Sequence, residues 1–538
     1  MSIFSIGVFA TFIIYLVVGN YAGRKVKSAE DYYVVGRKAP TVLIVGTLVA
    51  SYLSTVAFMG EVGFVYDGYA IPLLILIALN ACGYVIGAVF FGRYIRRSEA
   101  MTVTEYFGDR FNSPQMRVLA ASITIVGIGA YLVAVTQGAS LLMSELLGVS
   151  YGWSLIIVWI VYTSFTFYSG SQGVVITDTI MFFLFTVMSF IAVPFIINAS
   201  GGWPDAFSAM AVFAEKPDSL AWHGLTGANS YMGTPADIIV WGVVLGLVWA
   251  AVVAVSPWQT SRYLMAKNEH TTIRSSVIAS ITVFALYMIL MLTVPLLNLL
   301  KSDIAPSETA FIWAAINVFP SWLGIIVVTG IMAAALSSCS TFLSLVGFSV
   351  SRDIIQHTNK FSNIGDKQML TISRAMMLLV GLVTLIITYF QPPAVMWIGY
   401  FAATLFAASW GPIAFISIFS KRVTAAGAFW GMLIGFIVVA ATEAMRNYAG
   451  FAFPVYFRPP ILGAAASIIA IYVASALTTV TAEEKAYREK LFVVPEVEKD
   501  PAEIKRTMAF PKLLIAGGIA LFVIAYVFYY IPFSQAAL

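Results

Sequence analysis

The chain has 538 residues, 60% of them apolar and only 10% charged, and its mean hydropathy is +0.90. An ordinary soluble domain carries about 25% charged residues, so this composition excludes a soluble enzyme, a secreted disulfide scaffold and a disordered chain. What remains is a polytopic membrane protein with lipid as a constant partner, and a net charge of +4 implies no nucleic-acid field.

A bilayer core about 30 Å thick asks for about 20 apolar residues per helix. That window predicts a leading helix at 3–20. Ten core helices, numbered one to ten, follow at 42–64, 70–92, 117–145, 151–168, 174–199, 235–257, 273–299, 320–351, 368–390 and 393–419. Three trailing helices are predicted at 424–446, 459–480 and 511–532. The run from Ile3 to Val18 has no basic region before it, so it reads as a retained helix and not a cleaved signal. Cys82 and Cys339 each sit in an apolar run and read as small packing residues.

Loop charge tests this count. All but four of the 30 Lys and Arg residues fall in or beside the odd-numbered connections; the exceptions are Lys216, Lys301, Arg446 and Arg458. The positive-inside rule then places the odd connections in the cytoplasm and both termini outside. Of the longer connections, 200–234 is rich in Gly, Pro and Trp and either caps the mouth or simply connects. The cytoplasmic stretch 481–510 reads as a short solvated helix or a plain linker. The expected organisation is 1–41, a first repeat at 42–199, the loop 200–234, a second repeat at 235–419, and a trailing part at 420–538. Each repeat holds five helices, an odd number, so the two halves enter the membrane in opposite senses, as an inverted repeat requires.

Broken helices at matching places in two halves mark a transporter site. Core helix one reads LVASYLSTVAFMGEVGFVYDG, with Ser51, Ser54, Thr55, Gly60 and Gly63 interrupting its apolar character. Core helix six is interrupted by Ser256-Pro257, followed by Trp258-Gln259-Thr260. Pro257 removes a backbone donor and produces either a kink or a true break. In core helix eight, Ser337, Ser340, Thr341 and Ser344 share one face at 3.6 residues per turn, with Ser338 beside them. Such a face serves close helix packing, or it offers neutral oxygens to a hard monovalent cation. Asp178 lies at the start of core helix five with no basic neighbour in sequence. It is either a water-facing cap or a carboxylate awaiting a bound cation. Glu61 reads as interfacial. His223, His270 and His357 fall in connections and no phosphate-binding loop is evident, so the chain is expected not to be an enzyme.

One stretch is more specific. SIFSKRVTAAGAFWGMLIG, Ser417 to Gly435, resembles the long signature of the sodium/solute symporter family. SAEDYYVVGRKAP, MTVTEYFGDRF, Thr177-Asp178 and Arg262 to Lys267 (RYLMAK) are similar to further family motifs along most of the chain. The resemblance implies an all-α membrane fold of about 14 helices: a leucine-transporter-like five-plus-five core, one leading and three trailing helices. It implies Na⁺-coupled symport by alternating access. It also implies a first Na⁺ site from Ala50, Leu53 and Ala334 carbonyls with the Ser337 and Ser338 hydroxyls. A second site would use Ser54, Asp178, Ser337, Ser340 and Thr341.

The spacing from Trp249 to Pro257 to Arg262 is similar to that of the proline-transporting branch, which implies Tyr131 and Trp249 as pocket residues; Tyr52, Pro257 and Gln259 at the helix breaks complete the expected solute contacts. Ala57 and Leu76 stand where sugar-transporting relatives carry polar residues, and Ala130-Tyr131 near a position where the sialic-acid branch has Arg. The expected activity is therefore import of a small amino acid or short organic acid into a prokaryotic cell across the plasma membrane, with a monomer sufficient. The alternatives are a transporter-like solute sensor, or a symporter of a sugar or vitamin.

Overall fold

The computed structural model describes residues 3–228, 230–356, 365–390 and 395–537; His357 lies outside them. Among the described residues the chain is helical, with isolated β-bridges at Ala39–Ala266 and Thr226–Met232. Among the described residues, twelve helices are long and apolar enough to cross a membrane. A thirteenth crossing is the pair Thr41–Tyr52 and Val56–Tyr66, bent by 55°, which together form core helix one. The helix Tyr151–Ala199 has 49 residues. At 1.5 Å per residue it would be about 74 Å long, more than twice the bilayer core. It is bent at Gly170 (φ +54°), so it supplies two crossings, core helices four and five, and the fourteen expected spans are accounted for. Gly170 is required there: its φ is positive, and a Cβ would lie 2.7 Å from the Tyr32 carbonyl oxygen.

Core helix eight, Ser321–Ile355, is the hub. In its most apolar stretch 89% of residues are buried, against 11% for the last span, Pro501–Ala537, which lies at the periphery. Core helix two, Ala70–Ser98, packs so closely on core helix six that a Cβ on Gly83 would sit 2.4 Å from the Ala250 carbonyl oxygen. Close backbone approach through small residues is the usual basis of helix association in lipid.

The connections sort onto two faces. On one, Arg97 pairs with Glu269 at 2.5 Å and Glu498 at 3.2 Å, and Arg110 donates to the Glu484 carbonyl at 3.0 Å. The stretch 481–510 contributes the helices Ala482–Phe492 and Pro501–Thr507 to this basic face. On the other, Lys216 Nζ donates to the Tyr66 carbonyl at 3.0 Å, and the Trp203 indole donates to the Phe528 carbonyl at 3.0 Å. The Leu225 N–H donates to the Gly68 carbonyl at 3.2 Å, so the loop 200–234 caps the end of core helix one instead of merely connecting.

Candidate functional site

The first segment of core helix one ends at Tyr52, and its last backbone bond runs from the Leu53 N–H to the Val49 carbonyl. Leu53 is extended (φ −76°, ψ 112°), which turns the carbonyls of Ala50 to Leu53 away from the regular ladder. The second segment opens with a wide helical turn over Val56–Glu61, a feature often found at functional sites. The Ser54 hydroxyl accepts from the Val56 N–H at 3.1 Å and so caps the restart. Core helix six breaks in the same manner. Pro235–Val255 stops, Ser256 is extended (φ −60°, ψ 145°), and Pro257–Met265 begins with Pro257 at a position that needs no N–H. Pro257 therefore makes a true break and not a kink.

Asp178 ties these parts together. It is fully buried and accepts from Thr47 of core helix one and Ser337 of core helix eight, each at 2.6 Å, with Thr341 at 3.5 Å. This overturns the reading of Asp178 as a water-facing cap. It also supplies the basic partner that sequence neighbours lack. Arg262, 1% exposed, brings Nη2 to 3.5 Å from Asp178 Oδ2. The closer links run through hydroxyls: Arg262 donates to Thr341 at 2.6 Å and to Thr47 at 3.1 Å, and both hydroxyls donate on to Asp178. Arg262 and Thr47 are the members of this cluster to which the sequence assigned no role at the site. The fixed spacing of Arg262 after Pro257 was the available signal.

The other hydroxyls differ among themselves. Ser340 donates to the Ser337 carbonyl at 2.9 Å, whereas Ser338 Oγ is fully buried and makes no hydrogen bond among the described residues. A buried hydroxyl without a partner costs free energy unless something else coordinates it. Ser338 and the freed Ala50 and Leu53 carbonyls are oxygens of the kind a hard alkali cation takes. Ala334 lies one turn before Ser338 on the same buried helix.

The expected solute contacts fall into two adjoining groups. Tyr131 packs against Phe342 at 4.7 Å and Trp258 at 5.7 Å between ring centroids. Trp249 instead packs against Tyr400 at 4.9 Å and Tyr52 at 6.3 Å. Tyr131 lies against Gly399, the residue before Tyr400, where a Cβ would lie 3.0 Å from the Tyr131 ring. Gln259 donates to the Leu48 carbonyl at 3.4 Å, and its Oε1 has no hydrogen-bond partner among the described residues. Glu61 corrects the interfacial reading. It is 3% exposed and accepts from Tyr287 at 2.6 Å and Tyr400 at 2.5 Å. Those two tyrosines come from core helices seven and ten, which bury this end of helix one.

The model of the sodium:solute symporter family matches residues 32–435. The sodium/proline symporter of Haemophilus influenzae is 26% identical over 507 residues, covering 89% of this chain and 98% of its own. The sodium/pantothenate symporter of Escherichia coli is 24% identical, covering 82% and 91%. Among solved structures, an outward-open Na⁺-coupled sialic acid symporter superposes with a TM-score of 0.72 at 18% identity, over 90% of this chain and 99% of that one. That likeness carries the leucine-transporter-like fold, and the matched span takes in both broken helices and the Asp178 cluster. The chain belongs to the sodium:solute symporter family.

Proposed function

We propose that this protein imports a small organic solute, an amino acid or a short organic acid, with Na⁺ as coupling ion, by alternating access. The observation that carries the reading is the meeting of core helix one's broken end with core helix eight at a single buried carboxylate. Two helix breaks at one level leave backbone carbonyls and amides that lipid cannot satisfy. An ion and a solute can satisfy them. The carbonyls of Ala50, Leu53 and Ala334 with the hydroxyls of Ser337 and Ser338 form the first ion site in this reading. One monovalent ion crossing 100 mV releases about 2.3 kcal/mol, before any chemical gradient is added.

The second site, at Asp178 with Ser54, Ser337, Ser340 and Thr341, stands differently. Arg262 already supplies Asp178 with a positive charge. A second Na⁺ there requires the guanidinium to withdraw, so the arrangement favours one coupled ion while the pair is closed. The basic face is read as cytoplasmic, both termini as outside, and the membrane as a prokaryotic plasma membrane.

The test is uptake into proteoliposomes under an inward Na⁺ gradient, with amino acids and organic acids offered in turn. Accumulation that collapses when K⁺ replaces Na⁺ is the expected result. Accumulation of equal size in K⁺ overturns the reading.

A further inference from the structure

Glu61 is a carboxylate in the middle of the protein for which the described residues supply hydroxyls but no cation. Its oxygens accept from Tyr287 and Tyr400, and among the described residues no Lys, Arg or His nitrogen forms an ion pair with it. Asp178, comparably buried, has Arg262. A carboxylate at this depth rests as the neutral acid or is ionised against a compensating charge, and a ligand that brings that charge draws it into the ionised form. The walls around it are aromatic. Tyr52 stands 6.3 Å from Trp249 and 6.2 Å from Tyr287, and Trp249 stands 4.9 Å from Tyr400. Ring faces within about 6 Å attract a cation, most strongly where water is excluded.

A second observation points the same way. The Trp249 indole N–H and the Asn80 side-chain carbonyl are buried and have no hydrogen-bond partner among the described residues. The Asn80 amide N–H donates to the Tyr52 hydroxyl, which leaves the side-chain carbonyl open. The open groups are one donor and one acceptor. An ammonium can donate to the Asn80 carbonyl, and a carboxylate or hydroxyl on the same solute can accept from Trp249. These groups come from core helices one, two, six, seven and ten, so the cage lies where parts of both halves of the molecule meet.

We propose that the transported solute bears a positively charged nitrogen, an ammonium or quaternary ammonium, which seats against Glu61 among Tyr52, Trp249, Tyr287 and Tyr400. This rests on the reading of the chain as a solute symporter and narrows it. An organic acid without a cationic nitrogen leaves the Glu61 charge unanswered and adds a second negative charge beside it, so such acids are poor substrates.

The experiment uses matched pairs that share shape and differ only in the charged nitrogen: proline and cyclopentanecarboxylate, glycine betaine and 3,3-dimethylbutyrate, choline and 3,3-dimethyl-1-butanol. Binding to the purified full chain is measured by thermal shift and calorimetry, in Na⁺ and in K⁺. At least one cationic member is expected to bind about tenfold or more tighter than its uncharged-centre partner. Glu61→Gln, whose Oε1 still accepts from one tyrosine while its amide N–H can donate to the other, is expected to abolish that preference. Equal binding within every pair, binding only by the members lacking the nitrogen, or an intact preference in Glu61→Gln overturns the proposal. The pairwise comparison is made on the unmodified chain and decides the matter even if the variant does not fold. A nitrogen preference that is the same in Na⁺ and K⁺ upholds this proposal and sinks the Na⁺ reading; Na⁺-dependent binding of the acids alone does the reverse.

Discussion

Asp178 and Glu61 are two carboxylates buried to nearly the same extent, at 0% and 3% exposure, and the protein treats them in opposite ways. Asp178 is given an arginine, and two threonine hydroxyls relay between the charges. Glu61 is given two tyrosine hydroxyls inside an aromatic cage. Hydrogen bonds share a carboxylate's charge but do not cancel it; a cation or a proton does. The pair at Asp178 is complete without a ligand and can hold the resting bundle together. The group at Glu61 is completed only by something that arrives. The contrast predicts that damage at Asp178 is read as lost stability and damage at Glu61 as lost binding.

The largest expected effect comes from removing the cation at Asp178. Breaking a buried pair by deleting one partner typically costs about 3–5 kcal/mol. Arg262→Met is therefore expected to lower the thermal midpoint strongly in K⁺. Raising Na⁺ should recover part of the loss, because an alkali ion can take the vacated charge position. Arg262→Met with Asp178→Asn should recover more than half of it without Na⁺. A single variant as stable as the parent would show that the pair carries no weight, and the contrast with Glu61 would fail.

A third carboxylate extends the comparison toward the basic face. Glu105 accepts from Arg352 through two bonds, at 2.9 and 3.2 Å, and lies 3.5 Å from Arg117. Burial alone would raise its carboxyl; Arg352 and Arg117 outweigh that and hold it down from 4.5 to about 2. A depressed carboxylate contributes stability above its ordinary range and loses it as the pH falls toward the folded-state value. Glu105→Gln is expected to cost about 3 kcal/mol at neutral pH. The gap between variant and parent midpoints should narrow as pH drops from about 5 toward 3. A gap independent of pH would mean that Glu105 acts through packing and not charge.

Hydropathy and loop charge made the spans, their number and their parity legible, because each is a property of one segment against lipid or water. Asp178 and the hydroxyl face of core helix eight were legible too, since polar residues in apolar runs stand out. Arg262 was not. Counting charge by connection assigns every basic residue near a helix end to water, yet Pro257–Met265 turns inward and is buried along its length. Glu61 was misplaced for a related reason. Its partners Tyr287 and Tyr400 are 226 and 339 residues away in sequence. No local pattern announces that two distant helices will cover an end that hydropathy places near water.

Smaller effects sharpen the contrast within the cage. Tyr287→Phe keeps the ring and removes one of the two hydroxyls on Glu61. An unsatisfied hydrogen bond to a buried charge costs about 1–3 kcal/mol. Because the cage works by binding, this loss should shrink when a saturating solute with a cationic nitrogen is present. Midpoints measured with and without that solute test the point, and an unchanged loss would make Tyr287 a purely structural support.

The smallest effect on stability, and the cleanest on coupling, is expected at Ser338. Ser337 and Ser338 are neighbours on one helix, both fully buried, but only Ser337 is spoken for, through its bond to Asp178. Ser337→Ala therefore removes a hydrogen bond and a proposed ion ligand together, and its consequences cannot be separated. Ser338→Ala removes a hydroxyl that makes no protein hydrogen bond. Its thermal midpoint in K⁺ should match the parent or rise slightly, since an unmet polar group is lost. The Na⁺ concentration for half-maximal uptake should rise about fivefold or more, equivalent to about 1 kcal/mol of ion binding. Both measurements on one variant separate a ligand from a packing residue. A ligand moves the Na⁺ dependence and leaves the fold alone, a packing residue does the reverse, and a variant that moves neither removes Ser338 from the ion site.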